Sequence, residues 1–277
     1  MLIQGELGRA RHHAARLVAI ARAYYERVLA RSDEAEKWAV TEPVDLLIPS
    51  LDLQRKVEEN ANNWLTAIRI CDEQIELKRR HHKSDLALNI HVFNRAGNLT
   101  RLGRLDEAEG DLLFCLRVDR ENQDALGMSK DLSLLAYIVD ERGDPGHAAQ
   151  FETQSLEICY RLGTLSEAAI SHCNLGTYLW KLGKRKESLI EICCDGLITV
   201  VLEEWRGMNI TFTILHEKLK DMPLDERRAH WPTAAGLFAA YPRLGELLAG
   251  RGVGTAQVQA ILDQLWEAVQ VEETEDD

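Results

Sequence analysis

The residue types most capable of chemistry in this sequence are its six cysteines and nine histidines. Adjacent histidines occur at residues 12–13 and 81–82, but neighbouring side chains on a helix point about 100° apart, so neither pair can serve one metal ion. Cys173 could be joined in space by His172 or His147 as nucleophile and general base. The sequence gives no indication that either histidine lies against the Cys173 thiol. We therefore predict a protein that is not an enzyme and has no metal and no cofactor.

The cysteines form no C-x-x-C pair. The first eight residues include Gln4 and Glu6 and lack the apolar core of a secretion signal. We therefore expect the reducing cytosol, where thiols stay free and pack as small hydrophobic side chains. No apolar run reaches the length of about eighteen residues that a spanning helix needs. The sequence thus predicts a cytoplasmic protein with no membrane association.

The charge of the sequence weighs against nucleic acid as a partner. The formal net charge is -12, whereas binding along a phosphate backbone needs a basic surface. Six arginines lie within residues 1–31 against Glu6 and Glu26, and the last six residues carry five carboxylates. A solvated helix face and a solubilising tail explain these two ends most simply, and a docking role is the alternative.

The elements that must position any functional residue are helices. Only 6% of residues are aromatic, and Leu, Ala, Glu and Arg dominate, which favours helix over sheet. From about residue 89 to 196, one pattern returns every forty residues. Turn glycines fall at 103, 143 and 183, small residues follow five positions later at 108, 148 and 188, and others precede the turn by seven at 96, 136 and 176. This spacing predicts antiparallel helix pairs that bury their apolar faces by stacking.

The repeat is less regular before residue 89. An amphipathic helix is predicted over residues 6–31, and its opening, residues 5–10, is similar to the turn inside a repeat, so the chain would start halfway through a unit. That similarity suggests a fragment of a longer protein, or a partner helix supplied from elsewhere. Pro43 and Pro49 should break the helical pattern.

Around the prolines, we predict a short helix near residues 33–39, then a loop, then another helix starting between 44 and 52, and continuous helix from 53 to about 80. Ser84 is expected to cap the helix that follows. After the repeats, helices are predicted at 207–222, 224–230 and 232–249. A glycine-rich linker at 250–254 then leads to a final helix that begins with Thr255 as its cap.

The string from Asn174 to Leu189, NLGTYLWKLGKRKESL, resembles a tetratricopeptide repeat (TPR), and the forty-residue interval is similar to the long-helix variety of that family. The resemblance implies an all-α fold, a right-handed superhelical solenoid of antiparallel helix pairs. The predicted regions are an N-terminal helical segment, 1–52; TPR-like repeats, 53–205, with clear units at about 89–128, 129–168 and 169–205; a C-terminal capping region, 206–270; and an acidic disordered tail, 271–277.

The resemblance also implies a concave groove, lined by the first helix of each pair, that holds a peptide or protein. The groove residues it indicates are Phe93, Asn94, Arg101, Lys130, Tyr137, Asn174, Thr177, Trp180 and Lys181. The two asparagines share one repeat position, where family members hold a ligand's main chain; the alternative is that they only bond the neighbouring helix. Cationic residues beside aromatic ones suit a ligand with an acidic segment.

Two residues depart from the family pattern. Arg95 stands where the family prefers an apolar residue, and Phe93 stands where a clasp for a C-terminal carboxylate needs Lys or Arg. We therefore do not predict carboxylate capture. The leading interpretation is a non-catalytic scaffold or adaptor for protein–protein interaction. The alternative is the regulatory or sensor part of a larger effector, such as a protease or nucleotide-dependent switch, and self-association through free solenoid ends stays open.

Overall fold

The structure, a computed structural model, describes residues 2–30, 41–81, 84–220 and 222–271. All regular secondary structure within those ranges is helical, which confirms the predicted all-α fold. The helices are Leu2–Leu29 (α1), Thr41–Asn60 (α2), Trp64–His81 (α3), Asp85–Arg101 (α4), Leu105–Glu121 (α5), Ala125–Glu141 (α6), Pro145–Leu162 (α7), Leu165–Lys181 (α8), Arg185–Val201 (α9), Trp205–Leu219 (α10), Leu224–His230 (α11), Ala234–Ala240 (α12), Pro242–Ala249 (α13) and Thr255–Val271 (α14).

The chain divides into two compact units, residues 1–127 (unit 1) and 128–277 (unit 2). In unit 1, α1 packs on α2, α2 on α3, α3 on α4 and α4 on α5. In unit 2, α7 packs on α8, α8 on α9 and α9 on α10, and α14 lies against α9, α10 and α12. This sequential packing is that of a helical solenoid.

The forty-residue period extends one helix beyond the three predicted units. The first helices of the pairs, α4, α6, α8 and α10, begin at Asp85, Ala125, Leu165 and Trp205, each forty residues after the last. We call these the A helices, and the partners α5, α7 and α9 the B helices. The helix predicted at 207–222 is therefore a fourth A helix, and it is positioned like the others in the repeat.

The turns inside each pair confirm the role predicted for the glycines. Gly103, Gly143 and Gly183 have φ values of 73°, 88° and 74°, a left-handed conformation that glycine adopts without the steric cost of a Cβ. The turns between pairs also contain one left-handed residue every forty residues, at Gln123, Gly163 and Glu203. Sequence reasoning overlooked that second series because two of its three members are not glycine.

The small residues lie where two helices approach closely. A Cβ added to Gly176 on α8 would be 2.7 Å from Cγ1 of Ile192 and 3.1 Å from the carbonyl oxygen of Ser188 on α9. The Ser188 hydroxyl donates a 2.6 Å hydrogen bond to the Gly176 carbonyl across the same contact. Ala136 and Ala148 are fully buried in the equivalent contact between α6 and α7. Tight crossing of the two helices thus explains the small residues.

The structure corrects the prediction for the prolines. Helix α2 begins at Thr41 and continues through Pro49. Pro43 lies in the first turn, where the backbone amide has no helical acceptor to lose. Pro49 is retained inside the helix although this costs about 3 kcal/mol. Leu47, Ile48 and Leu51 on either side of it are buried in the core of unit 1, and their packing offsets that cost.

Four further predictions concern residues 5–84. Residues 5–10 are helical within α1, so the predicted turn there is wrong. The continuous helix predicted from 53 to 80 is interrupted between α2 and α3, where Asn62 takes a φ of 55°. Ser84 precedes α4 with extended backbone, but its side chain makes no capping hydrogen bond. The helix predicted near 33–39 lies outside the described residues.

In the C-terminal region, α11 is the helix predicted at 224–230. The helix predicted at 232–249 is instead two helices, α12 and α13, because Pro242 starts a new helix after Tyr241. The glycine-rich residues 250–254 form the turn before α14, with Gly252 at a φ of 78°. The predicted tail beyond residue 271 lies outside the described residues. None of the helices that the structure describes is long and apolar enough to cross a membrane.

Candidate partner-binding surface

The A helices of unit 2 present a partly apolar surface. Ile170 on α8 and Ile210 on α10 occupy the same repeat position, forty residues apart, and their side chains are 58% and 49% exposed. Tyr137 on α6 is 37% exposed, and Thr177 on α8 shares its repeat position. We refer to the surface that carries Tyr137, Ile170, Thr177, Ile210 and Thr213 as the A face of unit 2.

One open part of the A face lies on α10. A shallow surface cavity of about 380 Å³ is lined there by Arg206, Asn209, Ile210, Thr213 and Ile214. These residues recur at intervals of three and four and therefore share one side of the helix. The opposite side of α10 is buried through Thr211, Leu215 and Leu219. Two isoleucines flanked by an amide, a hydroxyl and a guanidinium form a combination that suits a peptide rather than a small apolar ligand.

Asn174, a predicted groove residue, is bonded inside the protein. Its Nδ2 lies 3.2 Å from Ser133 Oγ on α6 and 3.3 Å from Glu152 Oε2 on α7. Ser133 also donates to that carboxylate, at 3.1 Å. The side-chain NH2 group of Asn174 thus links α8 to α6 and α7. This is the arrangement expected from the alternative in which the asparagines bond the neighbouring helix.

Glu152 is the buried centre of this polar cluster. Its side chain has no solvent exposure, and its Oε1 has no hydrogen-bond partner. Burial raises the pKa of Glu152 to about 7, while hydrogen bonds from Ser171, Ser133 and Asn174 act in the opposite direction. Three polar residues of the A helices are therefore engaged in hydrogen bonds to a buried acid.

The predicted groove lysines face carboxylates of the same unit. Lys181 Nζ lies 2.6 Å from Asp140 Oδ2, and Asp140 is almost fully buried. Lys130 Nζ lies 4.0 Å from Glu167 Oε1. Both pairs connect α6 with α8, so these cations balance internal charge as well as lining the surface.

Trp180 is packed between helices. The Arg185 guanidinium lies 5.7 Å and the Lys218 Nζ 5.1 Å from its ring, distances at which a cation is attracted to an aromatic face. The ring also lies against the apolar cluster of α9 and α10 that includes Leu189 and Leu215. Its indole therefore holds α8 to its neighbours.

Three predicted groove residues belong to unit 1. Phe93 and Asn94 on α4 are half-buried, and Arg101 at its end is exposed. Phe93 packs against the cluster of Ile75 and Leu88. The family departure at Arg95 has a structural cause, because its guanidinium forms ion pairs at 2.7 Å with Asp111 on α5 and Asp72 on α3.

The thiols singled out in the sequence lie mostly in the interior of the protein. All six cysteines are free and five are buried, with Cys173 partly so. Burial raises the pKa of Cys173 to about 12, far from the range of a reactive thiolate. Its neighbour His172 is fully buried, and His147 lies on the surface of α7. No group of three potential metal ligands occurs among the residues that the structure describes.

Sequence reasoning missed a buried polar network in unit 2. His172 Nδ1 lies 2.6 Å from Glu191 Oε2 and its Nε2 lies 2.5 Å from the Tyr160 hydroxyl. The Tyr241 hydroxyl donates to the other oxygen of Glu191. The network joins α7, α8 and α9 to the residue before α13. Its hydrogen-bonded pairs are between 12 and 50 residues apart, so no local pattern signals it.

These features define a helical-repeat protein with a solenoid-like, all-helical fold. A similar solved structure is the crystal structure of BtubC (BKLC) from P. vanneervenii, with a TM-score of 0.56, 15% sequence identity, and coverage of 96% of this chain and 92% of that chain. At that identity, the similarity shows the fold alone. The chain matches no protein-family model and no curated protein sequence.

Proposed function

We propose that this protein is a non-catalytic scaffold of TPR type that binds a peptide or protein partner on the A face of unit 2. The observation that carries the proposal is the exposure of Ile170 and Ile210 at one repeat position. An apolar side chain repeated at the period of the fold and left open to solvent is the kind of surface that partners cover. The resemblance of residues 174–189 to a TPR supports the same surface, because A helices line the groove in that family.

The proposed partner binds mainly through apolar contacts. Lys130 and Lys181 already face Glu167 and Asp140, so they offer less charge to a ligand than their sequence suggested. Arg206 lines the open cavity on α10 and would pair with an acidic residue of the partner. We therefore propose a segment with one or more apolar anchors and an acidic residue near the anchor that meets Ile210.

The absence of catalysis is also part of the proposal. A catalytic cysteine needs a thiolate and a base within reach, whereas burial raises the pKa values of Cys71, Cys159 and Cys173. Six free thiols are consistent with a reducing compartment, which supports a cytoplasmic location.

The test compares partner capture by three forms of the intact chain. The first is the wild type, the second carries Ile170→Asp and Ile210→Asp, and the third is a matched control with Leu162→Asp and Leu224→Asp. The control leucines are similarly exposed, at 47% and 45%, but lie outside the A helices. Proteins retained from an extract of the source organism are quantified by mass spectrometry, and thermal unfolding confirms that each variant folds.

We expect a set of partners that the wild type and the control retain and that the A-face variant loses. Retention of the same proteins by all three forms would exclude the A face as the binding surface. Loss of partners from the control as well as from the A-face variant would indicate that apolar exposure in general, and not this surface, retains them.

A further inference from the structure

A second surface, in unit 1, lies on the N-terminal helix. One side of α1 packs on α2, where Val18, Ala21 and Tyr25 are buried together with residues of that helix. Leu17 and Ile20 on another side are 47% and 61% exposed. These two, with Tyr24 at 37%, recur at intervals of three and four and therefore form one stripe along the helix. We call Leu17, Ile20 and Tyr24 the α1 stripe.

The arginines of α1 fall into two groups. Arg11 and Arg22 are ion-paired with Glu58 and Glu73, at 2.8 and 2.6 Å. The other group, Arg9, Arg16 and Arg27, is exposed. No carboxylate in the part of the chain that the structure describes lies within ion-pair distance of that second group.

The positions of the second group follow the stripe. At about 100° per residue, Arg9, Arg16 and Arg27 project within about 60° of Ile20 and form a row along one edge of the stripe. Arg11 and Arg22 project toward the opposite side of α1, where Glu73 on α3 is near. The helix therefore presents an apolar stripe bordered by a row of arginines, and its ion-paired arginines lie on the other side.

We propose that the α1 stripe binds an amphipathic helix that has an apolar face and an acidic flank. A helix fits because side chains at intervals of three and four interdigitate with those of another helix. An acidic flank fits because it would pair with the arginine row. This site is separate from the A face of unit 2, and it would bind its ligand whether or not the A face binds one.

Two other occupants fit the α1 stripe less well. In an antiparallel, two-fold pairing of α1 with α1 of a second copy, the same edge of each helix faces the same side, so the two arginine rows would repel each other. A membrane is disfavoured because three apolar side chains give little area for insertion.

The experiment measures binding of two fluorescent helical peptides to the full chain by anisotropy. Each peptide has about three heptads with leucine at the a and d positions. One carries glutamate at the flanking positions and the other carries lysine. We expect the glutamate peptide to bind about tenfold or more tightly than the lysine peptide, which corresponds to about 1.4 kcal/mol, and its affinity to fall as salt rises.

Variants locate the site. Ile20→Asp should weaken binding of the glutamate peptide about tenfold, whereas Leu113→Asp on α5, a control leucine that is 55% exposed in the same unit, should leave it unchanged. The triple variant Arg9→Glu, Arg16→Glu, Arg27→Glu should reverse the preference between the two peptides. Circular dichroism and thermal unfolding verify that each variant folds.

Two results would overturn the proposal. One is equal affinity for the two peptides, or affinity that the arginine variant does not change. The other is co-sedimentation with vesicles containing about one third phosphatidylserine that depends on Ile20, which would make α1 a membrane-surface helix.

Discussion

In unit 2, Nδ1 of the His172 imidazole lies 2.6 Å from Oε2 of Glu191, and both side chains are buried. Tyr160 and Tyr241 complete the network, and burial raises the pKa of both phenols above their usual range. Both tyrosines therefore keep their protons and can donate. With Tyr160 as the donor to its Nε2, His172 can donate from Nδ1 to Glu191, so that every member of the network has a hydrogen-bond partner.

This pairing predicts that His172→Leu destabilises the protein by about 3 kcal/mol, because it leaves the buried Tyr160 hydroxyl without its partner and removes one of the two hydrogen bonds of the Glu191 carboxyl group. The double variant His172→Leu, Glu191→Leu should be more stable than the sum of the two single variants implies. Urea unfolding at neutral pH measures both effects. Additive losses would show that the two side chains do not interact.

Glu152 predicts an unusual pH dependence. Its pKa is about 7 in the folded protein, mainly through burial, against an ordinary value of 4.5. The folded state thus holds the proton more tightly than the unfolded chain. This carboxyl group should therefore lower the stability progressively as the pH rises from about 4.5 to about 7, and by a constant amount above that.

Glu152→Gln removes this titration. The variant should be more stable than the wild type at pH 8 by on the order of 2 kcal/mol and should show little difference near pH 4.5. Glu157→Gln, on the exposed side of α7, serves as the control and should change neither value. Urea unfolding at the two pH values is the measurement. A Glu152→Gln variant whose stability follows the pH curve of the wild type would contradict the assignment.

Gly176 predicts a cost for any added side chain at the crossing of α8 and α9. Because an added Cβ would meet Ile192 at 2.7 Å, Gly176→Ala should force the helices apart and lower the stability by about 1–3 kcal/mol. Gly110→Ala on α5 is the matched control, since nothing lies within 4 Å of its added Cβ. Its expected effect is a gain of about 0.5–1 kcal/mol from helix propensity. Thermal unfolding distinguishes the expected loss of stability from the expected gain. A Gly176→Ala variant as stable as the wild type would mean that α8 and α9 are less tightly packed at this crossing.

The left-handed residues between helix pairs predict stabilising substitutions. Gln123 and Glu203 each have a φ of 57°, where a side chain costs roughly 1 kcal/mol that glycine avoids. Gln123→Gly and Glu203→Gly should each raise the stability by a few tenths to about 1 kcal/mol. Gly163→Ala, at the equivalent position, should lower it by a similar amount. Chemical denaturation compares the three, and a loss of stability in Gln123→Gly and Glu203→Gly would contradict the prediction.

The sequence predicted the features that a single residue type determines. Gly103, Gly143 and Gly183 were identifiable because glycine is the residue best suited to a left-handed turn, and the helical class followed from composition. Pro49 misled the prediction because its local cost is offset by buried leucines on both sides, which only packing reveals. The same limit applies to Gln123 and Glu203, because neither residue type signals the left-handed backbone that it adopts.

The candidate site was predicted less well than the fold. The forty-residue period correctly placed Asn174 and Lys181 on A helices, but not their partners Glu152 and Asp140, which come from other helices. The isoleucine at position 210 was overlooked as a surface residue because the repeat pattern fades after residue 205. Exposure depends on what packs against each face, and a periodic pattern alone does not specify that.

The central claim is that the A face of unit 2 binds a partner, and site-specific photo-cross-linking tests it most directly. A photoreactive phenylalanine analogue is introduced at position 170, 210 or 162 of the full chain in cells of the source organism, and adducts are resolved by mass after irradiation. We predict discrete protein adducts from positions 170 and 210 and none from position 162. Adducts of equal yield from all three positions, or from position 162 alone, would contradict the account.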